Sequence, residues 1–229
     1  MNRKLILLTV LALLLCPLWA GDTAVFVDLG FSPDGKTYMF GQYGVSEETL
    51  RPWADLHVVD VPSNSYVPGG RINYVHDSSV TAGHDGSGAL FRLIARNTAL
   101  TDRYRIGYLL QGRLLYVSTE SNRDPETEAI EFRNFEQADS FKAVLQGSGY
   151  GSAAGSSFSI SLERRNSDGS YRTYTAGNAG VKRPGIVSYQ IHKVLAAPLS
   201  GSLIFVIEMK KLNADGSAAV RYMVETLKL

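Results

Sequence analysis

The stretch AVFVDLGFSPDGKTYMFGQYG, Ala24 to Gly44, sets a Pro-Asp-Gly turn between two apolar runs. Val25, Val27, Leu29 and Phe31 alternate with other residues, which places them on one face of a strand. TYMFGQYG reads as the returning strand of a hairpin, because glycine accepts positive φ and aspartate caps or tolerates such a turn. DLHVVDV, Asp55 to Val61, is a third strand, and SYVPGG a short fourth.

The same pattern continues along the chain. RIGYLL with RLLYVST, AIEFRNF, SFKAVLQ, SSFSISLERR, SYRTYTAG, GIVSYQIHKVLA, SLIFVIEMKK and AAVRYMVETLKL are further strand-like runs bounded by turn residues. Asp-Gly recurs at 34, 85, 168 and 215. The expected fold is mainly β, with antiparallel blade-like hairpins in a β-sandwich or an incomplete propeller or barrel. One helix is expected at Gly88–Asn97, where Leu90, Phe91 and Ile94 fall at helical spacing and Ser87 is placed to cap. Residues 21–229 read as a single domain. The glycine- and serine-rich stretch 147–157 reads as a mobile loop or a hinge between two halves, and lacks the Lys-Ser/Thr ending of a phosphate loop.

Shifting the chain by 165 residues lays Ser32–Phe40 over Ala197–Phe205 and Leu56–Val61 over Arg221–Thr226. Both copies read small residue, proline, glycine-containing turn, then an apolar strand ending in phenylalanine. FSPDGKTYMF followed by ADLHVVDV resembles one blade of the propellers of the periplasmic translocation protein TolB and its relatives. GDTAVFVDLGFSPDGKTYMFGQYGV, ADLHVVDV and VRYMVETL together resemble a family of uncharacterised bacterial proteins described only as predicted secreted proteins with a domain of unknown function. That resemblance implies a secreted globular protein and carries no functional residues with it.

MNRKLILLTVLALLLCPLWA, residues 1–20, pairs Arg3 and Lys4 with an apolar run from Leu5 to Cys16, the layout of a secretory signal peptide cleaved after Ala20. The run is too short to span a membrane, so the expected location is secreted or periplasmic. Lipidation of Cys16 is the alternative, disfavoured because Leu14 and Leu15 precede it where a small residue is usual. Cys16 is the single cysteine, so its loss with the signal leaves no disulfide, thiolate metal site or cysteine nucleophile. Setting aside Arg3 and Lys4, 21 of the 23 basic residues remain against 22 acidic, a net charge of −1. No basic stripe emerges, and nucleic acid is not an expected partner.

Two constellations are candidates for chemistry or binding. HDSSVTAGHDG carries His76-Asp77 and His84-Asp85 around Ser78, Ser79 and Thr81, residues a hydrolase or a metal-dependent enzyme could use. Adjacent His and Asp on a strand point to opposite faces, and helical metal spacing is missing, so a polar loop leading into the helix is the competing reading. Tyr43, Arg51 and Trp53 form the second, a surface able to stack on a sugar or grip a protein; alternatively Trp53, in the loop segment LRPWAD, plugs the end of a β core. The run DPETEAIE, with Asp124, Glu126, Glu128 and Glu131, lacks calcium-loop spacing. G-x-S-x-G is absent, no metal site is assigned, and no cofactor is expected. The expected function is a non-enzymatic envelope protein that binds a protein or glycan; the alternatives are the enzyme at His76–Asp85 and a structural accessory protein.

Overall fold

A computed structural model describes residues 22–81, 83–119, 127–152, 154–213 and 216–229. The expected signal segment, residues 1–20, together with Asp124, Glu126 and Asp215, therefore lies outside the described residues. Twelve strands and two helices follow in the order β1 (Val25–Phe31), β2 (Thr37–Val45), β3 (Pro52–Asp60), β4 (Ser65–Val75), α1 (Ser87–Arg96), α2 (Thr98–Arg103), β5 (Arg113–Val117), β6 (Thr127–Asn134), β7 (Asp139–Ser148), β8 (Ser157–Arg165), β9 (Tyr171–Gly177), β10 (Ile186–Ala196), β11 (Leu203–Leu212) and β12 (Ala218–Leu227). They form three antiparallel four-stranded sheets ordered β1-β2-β3-β4, β12-β11-β10-β5 and β6-β7-β8-β9, here called sheets one, two and three.

Burial pattern reports each sheet's place in a layered stack. β6 alternates exposed and buried along its whole length, because sheet three covers only one face. β3 and the start of β11 are nearly continuously buried, because both faces of sheets one and two are covered. One core, with Phe132, Phe158 and Leu162 against Ile191 and Phe205, joins sheets three and two. A second, with Tyr38, Phe40 and Val59 against Ile204, Val206 and Val224, joins sheets two and one. The third packs Leu90 and Leu93 of α1 on Met39, Leu56 and Val58. Gly41 makes that docking possible: a Cβ there would lie 2.7 Å from Leu90 Cδ1.

The 165-residue offset describes the first hairpin of each copy and fails at the next strand. Phe31 pairs with Tyr38 and Gly30 with Met39, as Ala196 pairs with Leu203 and Leu195 with Ile204. The turns agree too, with Ser32 N donating to Thr37 O at 2.9 Å and Ala197 N to Ser202 O at 2.8 Å. The third strand slips: Val59 faces Tyr38, whereas Val224 faces Val206 instead of Leu203. A slip of three is odd and exchanges the two faces of the strand, so the equivalence stops there. The sheets form a row closed by α1 at one end.

Several local expectations are corrected. Phe31 does not share the face of Val27 and Leu29, because the register shift between Asp28 and Gly30 turns it into the core with sheet two. RIGYLL is no strand: Arg105 adopts φ 50°, and Gly107 bridges back to Phe31. SYVPGG extends to Val75 as an eleven-residue edge strand. The helix starts at Ser87, one residue before the expected Gly88 and with Gly86 at the cap position, and a second, α2, follows it. Phe91 points to solvent at 67% exposure, and Ala89, Leu90 and Leu93 are the buried face. The stretch 147–157 joins neighbouring strands β7 and β8, which pair up to Ser148 and Ser157.

Candidate functional site

Trp53 lies in β3 and is 8% exposed, part of the core between sheets one and two. Its Nε1 donates to Asp22 Oδ1 at 3.1 Å. The Arg221 guanidinium stacks 3.9 Å above the indole and pairs with Asp22 at 2.7 Å. This clasp fastens the first described residue to β12 and sheet one. Gly44, opposite Trp53, leaves room for the ring, since a Cβ there would lie 2.8 Å from Cζ2. Tyr43 packs on the other face of sheet one with the α1 core, and Arg51 is exposed ahead of β3. The three do not converge.

His76 follows β4, its Nδ1 accepting from Ser78 N at 3.2 Å. Asp85 accepts from Ser87 N at 2.9 Å, and the hydrogen bonds from Ser87 hold its carboxyl below the ordinary range. An aspartate that stabilises the opening turn of α1 in this way explains the residue without catalysis. His76 and Asp85 line one pocket of about 240 Å³ with Val80, Ala89 and Arg92, whereas exposed Asp77 and His84 stand outside its lining. Among the described residues no three His, Cys, Asp or Glu come together as metal ligands. Of the acidic run, Glu128 is buried, accepting from Ile191 N at 2.7 Å, and Glu131 is exposed on the outer face of β6.

A polar junction ties the layers together. The β3–β4 turn residue Asn64 donates to buried Glu225 and accepts from Thr226 N at 2.8 Å. Arg183, from the segment before β10, reaches Glu225 at 3.7 Å. Burial raises the Glu225 carboxyl above its usual value. His57 stacks on Phe40 at 4.7 Å, and its Nδ1 has no hydrogen-bond partner. Burial, then the Arg71 charge, pushes this imidazole down to about 4.

A different concavity lies at the end of the stack where the β1–β2, β6–β7 and β10–β11 turns gather. It has a volume of about 320 Å³, and its polar lining is Gln111, Arg113, Asn134, Glu136 and Gln137. Arg113 pairs with Glu136 and donates to Asn134 Oδ1 at 2.7 Å, while its Nε stays buried without a partner. Opposite stand Ala197, Pro198, Leu199 and Leu203. Leu199, in the lining, is 89% exposed; Phe135, between two lining residues, is 86% exposed, and Leu109, two residues before Gln111, 99%. Leu199 holds φ 59°, an unfavourable conformation for a leucine.

The model of the family "Predicted secreted protein (DUF2259)" matches residues 39–228. The chain belongs to this family. The match spans β2 to β12 and hence most of the three-sheet stack. It carries the secreted family and not the TolB-like propeller resemblance. Neither a curated protein nor a solved structure matches the chain. No helix among the described residues is long and apolar enough to cross a membrane.

None of the turn-end residues was singled out by the sequence reading. Gln111 with Arg113, Asn134, Leu199 and Leu229 come from four separate segments, and no local motif links them. The one signal available was PLSG at 198–201, the equivalent of PDGK, with a leucine where a turn normally carries a polar residue.

Proposed function

We propose that this secreted-family protein is a non-enzymatic binding protein that holds a protein partner at the turn end of its sheet stack. The observation that carries the reading is Leu199, 89% exposed, in the lining of one polar cleft, with Phe135, between two lining residues, and Leu109, two residues before Gln111, also among the most exposed apolar side chains described. Exposed apolar groups of this size add nothing to folding, and Leu199 adds backbone strain. A partner that covers them gains the apolar burial, while the Arg113–Glu136 pair and the amides of Gln111, Asn134 and Gln137 supply orientation. In this reading Tyr43 and Trp53 support the fold and Arg51 lies outside the contact.

Capture from envelope extracts tests it. Leu109→Ser, Phe135→Ser and Leu199→Ser combined are expected to abolish capture of a partner that Phe91→Ser, on exposed α1, retains. Equal capture by both variants contradicts the reading. The enzyme alternative rests on the pocket shared by His76 and Asp85, and a hydrolytic activity lost in His76→Ala would favour it.

A further inference from the structure

The outer face of sheet three breaks the usual charge pairing at one row. Residues directly opposite across β6, β7 and β8 share a face, and opposite charges normally meet there. Glu131, Lys142 and Glu163 obey this, forming one row with the cation in the centre. In the adjacent row Arg133 and Arg165 stand on either side of Ser140, with no carboxylate between them. The row continues to Tyr171, 70% exposed, on β9. Among the described residues neither arginine takes part in an ion pair, whereas Arg164, turned the other way, is neutralised by Asp139 at 2.8 Å. A depression of about 330 Å³ lies over these rows, lined by Glu131, Arg133, Ser140, Lys142, Glu163 and Arg165.

We propose that this depression is a binding site for a tetrahedral oxyanion, a phosphate or sulfate ester, held between Arg133 and Arg165 over the Ser140 hydroxyl. Two strand spacings separate the arginine backbones by about 10 Å, a gap that two guanidinium side chains can close on a group of this size. Each planar guanidinium offers paired N–H donors that match such oxygens, and the hydroxyl supplies a donor from below. Glu131 and Glu163 stand opposite Lys142 in the neighbouring row and opposite neither arginine, and as lining carboxylates they disfavour a ligand that is anionic along its whole length. A simple solvated face would alternate charges through this row as it does through its neighbour. The ester could belong to a lipid headgroup or to a soluble molecule, and both present the same chemistry to the row.

Inorganic phosphate titrated into the folded protein, followed through backbone amide resonances, reads the site directly. The expected result is saturable shifts around Ser140 and Arg165. Arg133→Gln and Arg165→Gln each weaken binding at least tenfold, while Arg96→Gln on α1 changes nothing. Arg133→Lys, with Arg165 intact, retains part of the affinity. The turn-end triple variant retains all of it. Vesicles of phosphatidylglycerol, compared with phosphatidylcholine, distinguish the sources: selective binding competed by phosphate assigns a lipid headgroup, and binding of phosphate without vesicle binding assigns a soluble ester. Absence of saturable phosphate shifts, or the same affinity in the folded Arg133→Gln/Arg165→Gln double variant, overturns the proposal.

Discussion

Gly35, at the tip of the first hairpin, lies directly against the carbonyl of Pro198, so that a Cβ at position 35 would overlap that oxygen. Two turns of similar sequence, far apart in the chain, are thus packed tip against tip. The SPDGK turn contacts no cleft itself, but it backs the Pro198–Gly201 turn that forms one wall of the cleft. Ser32 Oγ to Asp34 Oδ1 at 2.6 Å and Lys36 N to the same oxygen at 3.1 Å make this support rigid.

Gly35 and Gly201 have nearly equal φ, 68° and 66°, but only Gly35 is crowded, Gly201 having open space beside it. Gly35→Ala is therefore expected to cost more than Gly201→Ala, and Gly35→Val at least ~2 kcal/mol, a fall in Tm of roughly 5 °C or more. Thermal melts of the three variants check this. Equal losses for the two alanine variants would mean that the tip-to-tip contact contributes nothing.

The Asp22–Trp53–Arg221 clasp is expected to act on stability. Trp53→Ala should cost about 3–5 kcal/mol, as expected for a large buried aromatic. Arg221→Gln leaves Asp22 half-buried without its cation and should cost about 1–3 kcal/mol. Urea denaturation measures both. Partner capture by the folded fraction of either variant should be unchanged, which distinguishes a plug from a contact surface.

Gly41→Val inserts a branched side chain where Leu90 of α1 sits. The helix is expected to lift from sheet one, with faster amide exchange across Ser87–Arg96 while sheet three keeps its protection. Unchanged exchange in α1 would contradict the close-approach role of this glycine.

His57 predicts a pH dependence. Its imidazole is lowered from 6.5 to about 4 in the folded protein, by burial and then by Arg71. The folded state therefore binds that proton less readily than the unfolded chain. The contribution is full above 6.5 and is lost as pH falls from 6.5 toward 4, by about 3 kcal/mol in total. His57→Gln should show a smaller stability difference between pH 7 and pH 4.5 than the parent chain. Asp28, Asp55 and Glu225, raised by burial, act in the opposite direction but are common to both proteins and cancel. Identical differences in the two proteins would refute the assignment to His57.

The layers were legible where burial imposes a period. The unbroken apolar run of β11 and the strict alternation of β6 reflect coverage of two faces and of one. RIGYLL misled because an apolar run with glycine resembles a strand, and only the backbone of Arg105 separates the two. Trp53 followed a proline and an arginine, which suggested a loop, yet Pro52 opens the strand and hides the indole inside. Arg221 and Asp22 are 199 positions apart, and Asn64 and Glu225 161, so no local spacing could reveal them. The turn-end cleft was unreadable for the same reason: four distant segments build it.

The most direct test of the account is a photo-crosslinking side chain placed at Leu199 and, separately, at Phe91, in the full-length protein expressed in its native cells. The account predicts a discrete partner adduct from position 199 that disappears when Leu109 and Phe135 are also changed to serine, and none from position 91. An adduct from 91 alone, or the same adduct from both positions, would contradict the turn end as the binding surface.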